Sequence, residues 1–323
     1  MKSENISKFL INNILYICLL IMIVIIAVIS PSFLSARVLS DVLIQSAPKI
    51  LLAMGMLVVI IAGGMDMTVG RLAGLGAVIA GTLAQQADYY LKFWPGLGEL
   101  PIIVPMLVSV AAGLMVGAVT GIIISKFRVP AFLAGLGMQL IIYGGNLLFL
   151  KKAPNNSQPL AGYKQSFVQF GTGSFMGISY LIFVFVLLNM TTLGKNIYAI
   201  GGNREAAKVA GINAFKIDMF VYMLSGALAA FAGCMLAART GSANAAFAEG
   251  YEMDAIASCI IGGASFAGGI GNVPGAFLGV IIFSVINYGL TFVGLSSYWQ
   301  FIVKGLIIIV AVALDMRKYS AKK

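Results

Sequence analysis

The sequence predicts an all-α integral membrane protein of about ten transmembrane helices, some of them broken or re-entrant. Three observations carry that expectation. The 323 residues are 60% hydrophobic and only 10% charged, with a mean hydropathy of +0.99, whereas an average soluble domain is about 45 to 50% apolar and about 25% charged. Apolar runs close to the roughly 20 residues a helix needs to cross the hydrocarbon core recur along the chain. Basic residues gather in the short stretches between these runs, where they set topology.

Taken in order, the runs and their breakers place crossings at 9–30, 42–62, 70–88, 102–125, 130–150, 177–191, 217–238, 253–270, 274–293 and 299–315. The whole chain, 1–323, is expected to form one transmembrane domain. The first run exceeds the roughly 7 to 15 residues of a signal peptide, and "FLSAR" has Leu34 where cleavage wants a small residue, so a retained span is expected. The run at 177–191 is short, and the glycine-rich run at 253–270 reads as broken or re-entrant. With both termini inside, Lys2, Lys8, Lys126, Arg128, Lys195, Arg204, Lys208, Lys216, Arg317, Lys318, Lys322 and Lys323 fall in the cytoplasm, and Arg37, Lys49, Lys92, Lys151, Lys152, Lys164 and Arg239 outside. Twelve cations against seven favour this orientation.

The composition also excludes several chemistries. There is no histidine, and Cys18, Cys234 and Cys259 all lie in apolar runs, which argues against a disulfide framework, a metal site or a His-based relay. No cofactor is expected. The net charge of +10 belongs to the loops that orient the spans and does not point to nucleic acid. No G-x-x-x-x-G-K-[ST] phosphate loop occurs; Gly194 and Lys195 are the only Gly-Lys pair, and Asn189 stands where the upstream glycine belongs. Any motor of that type must be a partner chain, the alternative being an ion gradient. Ionisable residues at membrane depth, which an ion-coupled carrier needs, are few: Asp66, Arg71 and Lys304.

Between two spans lies a polar island, "YAIGGNREAAKVAGINAFKID", from Tyr198 to Asp218. Asn203 suits a helix N-cap, Glu205 the first turn and Gly211 the left-handed position past the end, which predicts a helix over 204–210. At about 1.5 Å per residue it is too short to stand alone in water. Ala206, Val209 and Ala210 share one face, with Arg204, Glu205 and Lys208 beside it. That face fits either a partner's groove or the protein's own spans.

Three polar clusters are candidates for direct roles. In "AGGMDMTVGR", Asp66, Thr68 and Arg71 sit in a break between spans; Asp66 either caps the next helix or meets a solute, and Arg71 either pairs with it or binds free carbonyls. In "GLGMQLIIYGGN", Gln139, Tyr143 and Asn146 line one helix face at i, i+4 and i+7, as a wet path or as pins between helices. In "GSANAAFAEGYEMD", Glu249, Glu252 and Asp254 begin a helix, offer a docking face, or both. A faint repeat links "GGMDMTVGRLAGLGAVIAG" from Gly63 with "GGASFAGGIGNVPGAFLGVII" from Gly262, each a glycine-rich break ahead of a small-residue span.

"GGNREAAKVAGI", "GYEMDAIASCIIGGASFAGGIG" and "INYGLTFVGLSSYWQFIVKGLIIIVAVALD" resemble, in that order, motifs of the ribose-type sugar ABC importer permeases. The last is most similar to members that carry galactose and methyl-galactosides. The likeness runs over nearly the whole chain and implies alternating access without covalent chemistry in a bacterial inner membrane. The solute would be a neutral monosaccharide, galactose or a methyl-galactoside first, with glucose or ribose next. It also implies a second permease chain forming a homodimer, a cytoplasmic ABC ATPase and a periplasmic sugar-binding protein. The ATPase would dock on a coupling segment of about 192–216, at Gly202, Asn203, Arg204, Glu205, Ala206, Ala207, Lys208 and Gly211. "GGMDMTVGR" resembles the family's G-x-D-L-S-x-G pattern near the path, with Met67 and Thr68 in place of Leu and Ser; Thr68 keeps the hydroxyl.

Overall fold

The computed structural model describes residues 14–152, 154–172 and 175–320. Residues 9–13 of the first expected span, Lys2, Lys8, Lys322 and Lys323 lie outside the described residues. Five helices are long and apolar enough to cross a membrane: α2 (Ala36–Ile61), α4 (Ile103–Lys126), α5 (Ala131–Leu150), α10 (Ala214–Thr240) and α12 (Val273–Phe292). A sixth arises if α7 (Phe175–Met190) and α8 (Thr192–Gly202), bent by 72°, form one span. The remaining helices are α1 (Ile14–Ile29), α3 (Val69–Leu83), α6 (Gln165–Gly171), α9 (Arg204–Val209), α11 (Tyr251–Ile261) and α13 (Ser297–Ser320).

Five or six such spans is fewer than the ten expected. Part of the reason lies in the glycine-rich runs. The span expected at 70–88 folds as the 15-residue α3, and that expected at 253–270 as the 11-residue α11. Helix α11 stops where Gly263 takes a φ of 88°, a left-handed conformation open to glycine at little cost. Lys49, counted among the outside cations although it falls in the expected span 42–62, lies within α2 and pairs with Asp254 of α11. Cys234 and Cys259 are free and buried, and no metal-ligand cluster occurs among the described residues.

Helix α10 is the central strut, packed on α2, α3 and α4. Lipid tails are as apolar as core side chains, so helices in a membrane gain from close backbone approach. Gly233 lies on the Ala73 carbonyl, Gly76 on the Ala230 carbonyl, and Gly113 and Gly226 face each other; a β-carbon at any of these would strike backbone. Ser109 adds a hydrogen bond to the Gly76 carbonyl oxygen at 3.1 Å. The outer faces of α4 and α5 leave Leu107, Met115, Leu140, Ile141 and Leu148 exposed, as a surface meeting hydrocarbon requires.

The two stretches that echo each other share a helix–break–helix plan: α2, residues 62–68, α3; and α11, residues 262–272, α12. The two breaks touch. The Gly269 N–H donates to the Ile61 carbonyl oxygen at 2.8 Å, and a β-carbon on Gly268 would stand 2.9 Å from the Gly63 Cα. Gly201, at the end of α8, fills the gap, where a β-carbon would collide with the Ile61 carbonyl.

Candidate functional site

Past the first break, α3 begins inside the protein. Thr68 is its N-cap residue, and Asp66 accepts from the Thr68 N–H at 3.0 Å, from the Thr68 hydroxyl, and from the Ser225 hydroxyl of α10 at 2.7 Å. Asp66 and Thr68 are fully buried. Arg71 does not join them. It reaches across to the loop before α11, where it pairs with Glu249 at 2.8 Å.

That pair marks a meeting of helix starts. The first turns of α3 and α11 abut so closely that a β-carbon on Gly70 would stand 2.9 Å from the Ala248 carbonyl oxygen and would strike Glu252. Helix N-termini carry partial positive charge, which suits the two glutamates. The Arg71 guanidinium carbon lies 4.2 Å above the Tyr143 ring centre, a cation–π geometry. Asn146 is buried beside Gly74, its Nδ2 3.9 Å from where a β-carbon would sit. Three buried polar atoms here, Arg71 Nη1, Asn146 Nδ2 and Glu252 Oε2, have no hydrogen-bond partner. Arg71, Tyr143, Asn146, Glu249 and Glu252 thus form one cluster from three separate sequence stretches. Gln139, half-buried one turn from Tyr143, is outside it.

The acidic triplet does not share one surface. Glu249 is exposed, Glu252 half-buried, and Asp254 buried. Asp254 accepts from Lys304 of α13 at 3.0 and 3.2 Å and lies 3.7 Å from Lys49 Nζ. Sequence reasoning missed Lys49 and Ser225 as partners. Each is a polar residue within a largely apolar helix, which was the available signal, but neither partner was readable from one stretch of sequence.

The island folds as two helices. Helix α8 turns away from α7 and buries Gly194, Ile197 and Ile200; its Tyr198 hydroxyl donates to the Gly271 carbonyl of the second break at 2.8 Å. Helix α9 follows at once, with the Asn203 side chain accepting from the Ala206 N–H at 3.0 Å and Gly211 at φ 83°. Ala207 turns inward at 4% exposure, whereas Ala206, Ala210 and Val209, the last at 91%, face outward. The inward contact is therefore Ala207 alone, and the apolar face predicted from spacing is the free one. Arg204 pairs with Asp218 at the start of α10. Lys208 donates to Glu205 at 2.6 Å, and this bond and charge hold the Glu205 carboxyl below its ordinary value. Beside α9, a cleft of about 580 Å³ is lined by Arg128, Arg204, Glu205, Lys208 and Phe215.

Comparison with known proteins gives a consistent answer. Residues 38–312 match the family described as the branched-chain amino acid transport system / permease component. The chain is 43% identical to the galactose/methyl galactoside import permease protein MglC of Escherichia coli (strain K12), over 96% of this chain and 95% of that protein. It is 42% identical to the protein of the same name from Haemophilus influenzae, over 97% and 96%. The ribose import permease protein RbsC of Escherichia coli (strain K12) is 36% identical over 94% and 92%. No solved structure matches significantly. The chain, an all-helical protein with five to six candidate membrane spans, belongs to this permease family, alongside the galactose/methyl galactoside and ribose import permeases.

Proposed function

We propose that this chain is the membrane-spanning subunit of an ATP-driven importer of a neutral monosaccharide, with galactose or a methyl-galactoside as its first substrate. The observation that carries the reading is the 43% identity, over nearly the full length of both chains, to a galactose/methyl galactoside import permease. In this reading the protein does no covalent chemistry. A separate ABC ATPase in the cytoplasm supplies the energy, a periplasmic binding protein delivers the sugar, and two copies of this chain surround the path in the inner membrane. The shorter apolar helices, completed by their breaks, make up about ten crossings, with both termini cytoplasmic.

The coupling segment is 192–216, and its ATPase contact is the outer side of α9. Exposure of Ala206 and Val209 and the basic cleft beside them support that assignment for Gly202 to Ala206, Lys208 and Gly211, with the buried Ala207 anchoring the helix from its inner side. Motion passes inward through Gly201 and Tyr198, which touch both breaks. The path runs by Arg71, Gln139, Tyr143 and Asn146, with Asp66 and Thr68 holding the first break. Support comes from three unpaired buried polar atoms in the helix-start cluster, groups that lose free energy unless a solute or water meets them. Glu249 is the exposed acid available to a binding protein; Glu252 and Asp254 lie behind it.

The test is uptake of labelled galactose into vesicles holding the chain with its ATPase and binding protein. Accumulation that needs ATP is expected. Uptake driven by an imposed proton or sodium gradient in the absence of ATP would overturn the reading.

A further inference from the structure

A second polar cavity lies apart from the helix-start cluster. It is lined by residues of α2, α11, α12 and α13, has a volume of about 240 Å³, and none of its lining was singled out above except the Lys49, Asp254 and Lys304 group. Two buried residues of α12 open onto it with their hydrogen bonding unmet. Asn287 is 9% exposed and neither amide atom has a partner; Ser284, one turn earlier and 3% exposed, has an unpartnered hydroxyl. Leaving a buried donor or acceptor unmade costs about 1 to 3 kcal/mol. Three such atoms on two residues that line one small cavity therefore point to an occupant.

The opposite wall specifies its chemistry. Asp254 is held by Lys304 at 3.0 Å and approached by Lys49 at 3.7 Å. Each ammonium has donors to spare and the carboxylate has lone pairs to spare. With the Asn287 amide and Ser284 hydroxyl, the lining supplies both donors and acceptors. A metal ion is disfavoured by two ammonium groups around a single carboxylate. An anion would face that carboxylate. A compact neutral molecule bearing several hydroxyls meets both kinds of group, and Tyr251 and Tyr288 in the same lining offer apolar ring faces to its C–H bonds. The volume falls below the roughly 300 to 1,000 Å³ of drug-sized sites, as suits a single sugar ring.

We propose that this cavity is a monosaccharide-binding subsite, with Asn287 and Ser284 reading sugar hydroxyls opposite the Asp254–Lys304 pair. The assignment rests on the importer reading. It is tested in reconstituted vesicles by comparing ATP-driven uptake of labelled galactose with that of its epimer glucose, for the wild type and for Asn287→Leu and Ser284→Ala. Loss of one hydrogen bond predicts up to about a tenfold fall in galactose uptake, with the galactose-to-glucose ratio changed, because the two sugars present one hydroxyl differently. Equal loss for both sugars, or no loss, overturns the subsite. If Asn287→Leu does not assemble with the ATPase, Asn287→Gln and Ser284→Ala decide by the same ratio. Wild-type vesicles that move neither sugar with ATP would instead refute the importer reading.

Discussion

The two glycine-rich breaks lie against each other yet are held by opposite means. The first, residues 62–68, is pinned by a side chain: the buried Asp66 carboxylate gathers donors from its own loop and from Ser225 of α10. The second, residues 262–272, is pinned by missing side chains. Gly263, Gly268 and Gly269 have φ of 88°, 81° and 71°, and the backbone passes within contact of Gly201, Gly202 and Ile61. One break should fail when an atom group is removed, the other when one is added. Gly201, at the end of α8, touches both.

The largest stability effect should come from adding bulk to the second break. Gly268→Val combines a left-handed backbone, costing about 1 to 2 kcal/mol, with overpacking against Gly201 and Gly63, typically about 1 to 3 kcal/mol. A clear fall in the unfolding temperature of the detergent-purified protein and loss of uptake are expected. Wild-type stability would mean that the close approach does not exist. Asp66→Ala comes next. It strands the buried Ser225 hydroxyl and Thr68 groups at roughly 1 to 3 kcal/mol; Asp66→Asn, which keeps an acceptor, should lose less. Equal losses for Ala and Asn would mean that hydrogen bonding is not what holds this break.

Breaking the pair at the helix starts should matter less for stability and more for transport. Glu249→Gln removes the charge that Arg71 meets at 2.8 Å, but the Glu249 side chain is 64% exposed, so solvent screening limits its worth to about 1 kcal/mol or less. The expected result is near-normal unfolding with slower uptake. Normal uptake at every sugar concentration would remove the pair from the path.

What could be read from sequence follows the range of the forces involved. The Asn203 cap and the Gly211 terminator were legible because each depends on residues within one helical turn. Spacing groups Ala206, Val209 and Ala210, and the three do face one way, but it says nothing of which side meets the core. Ala207 takes that place because the chain enters α9 directly from α8, a helix not anticipated within the island. Asp66 and Arg71 were recognisable as buried polar residues; that Arg71 would find Glu249, 178 positions away, was not. Lys49, Asp254 and Lys304 were scattered among the outside cations, a docking face and a deep candidate. Only packing of α2, α11 and α13 brings them together. The glycine-rich breaks were visible as punctuation, but their contact through Gly201 was not.

The outer side of α9 supplies the next contrast. Val209 and Ala206 face away from the protein, so Val209→Glu should change stability by no more than about 0.5 kcal/mol while reducing co-purification of the ATPase. Ala207→Glu, which forces a charge into the core, should unfold the segment as well. If both variants kept the ATPase, the motor would have to dock elsewhere.

The smallest expected effect lies on the same helix and carries its own pH dependence. Lys208 holds the exposed Glu205 carboxyl below its ordinary value, which for a model peptide is about 4.3. The folded form therefore releases its proton more readily than the unfolded chain. The contribution of the pair is present above the ordinary carboxylate value and disappears as pH falls through the lower folded-state value. Solvent and salt screen it. Glu205→Gln should accordingly unfold slightly earlier than the wild type at neutral pH and low salt, with the difference shrinking in high salt and closing below the carboxylate range. A difference that persisted at acid pH would have to come from the cap or the first turn of α9, since the ion pair is then gone. Such a small term on a six-residue helix, set against the collision expected at Gly268, locates the island's stability in what it packs on and not in its outer charges.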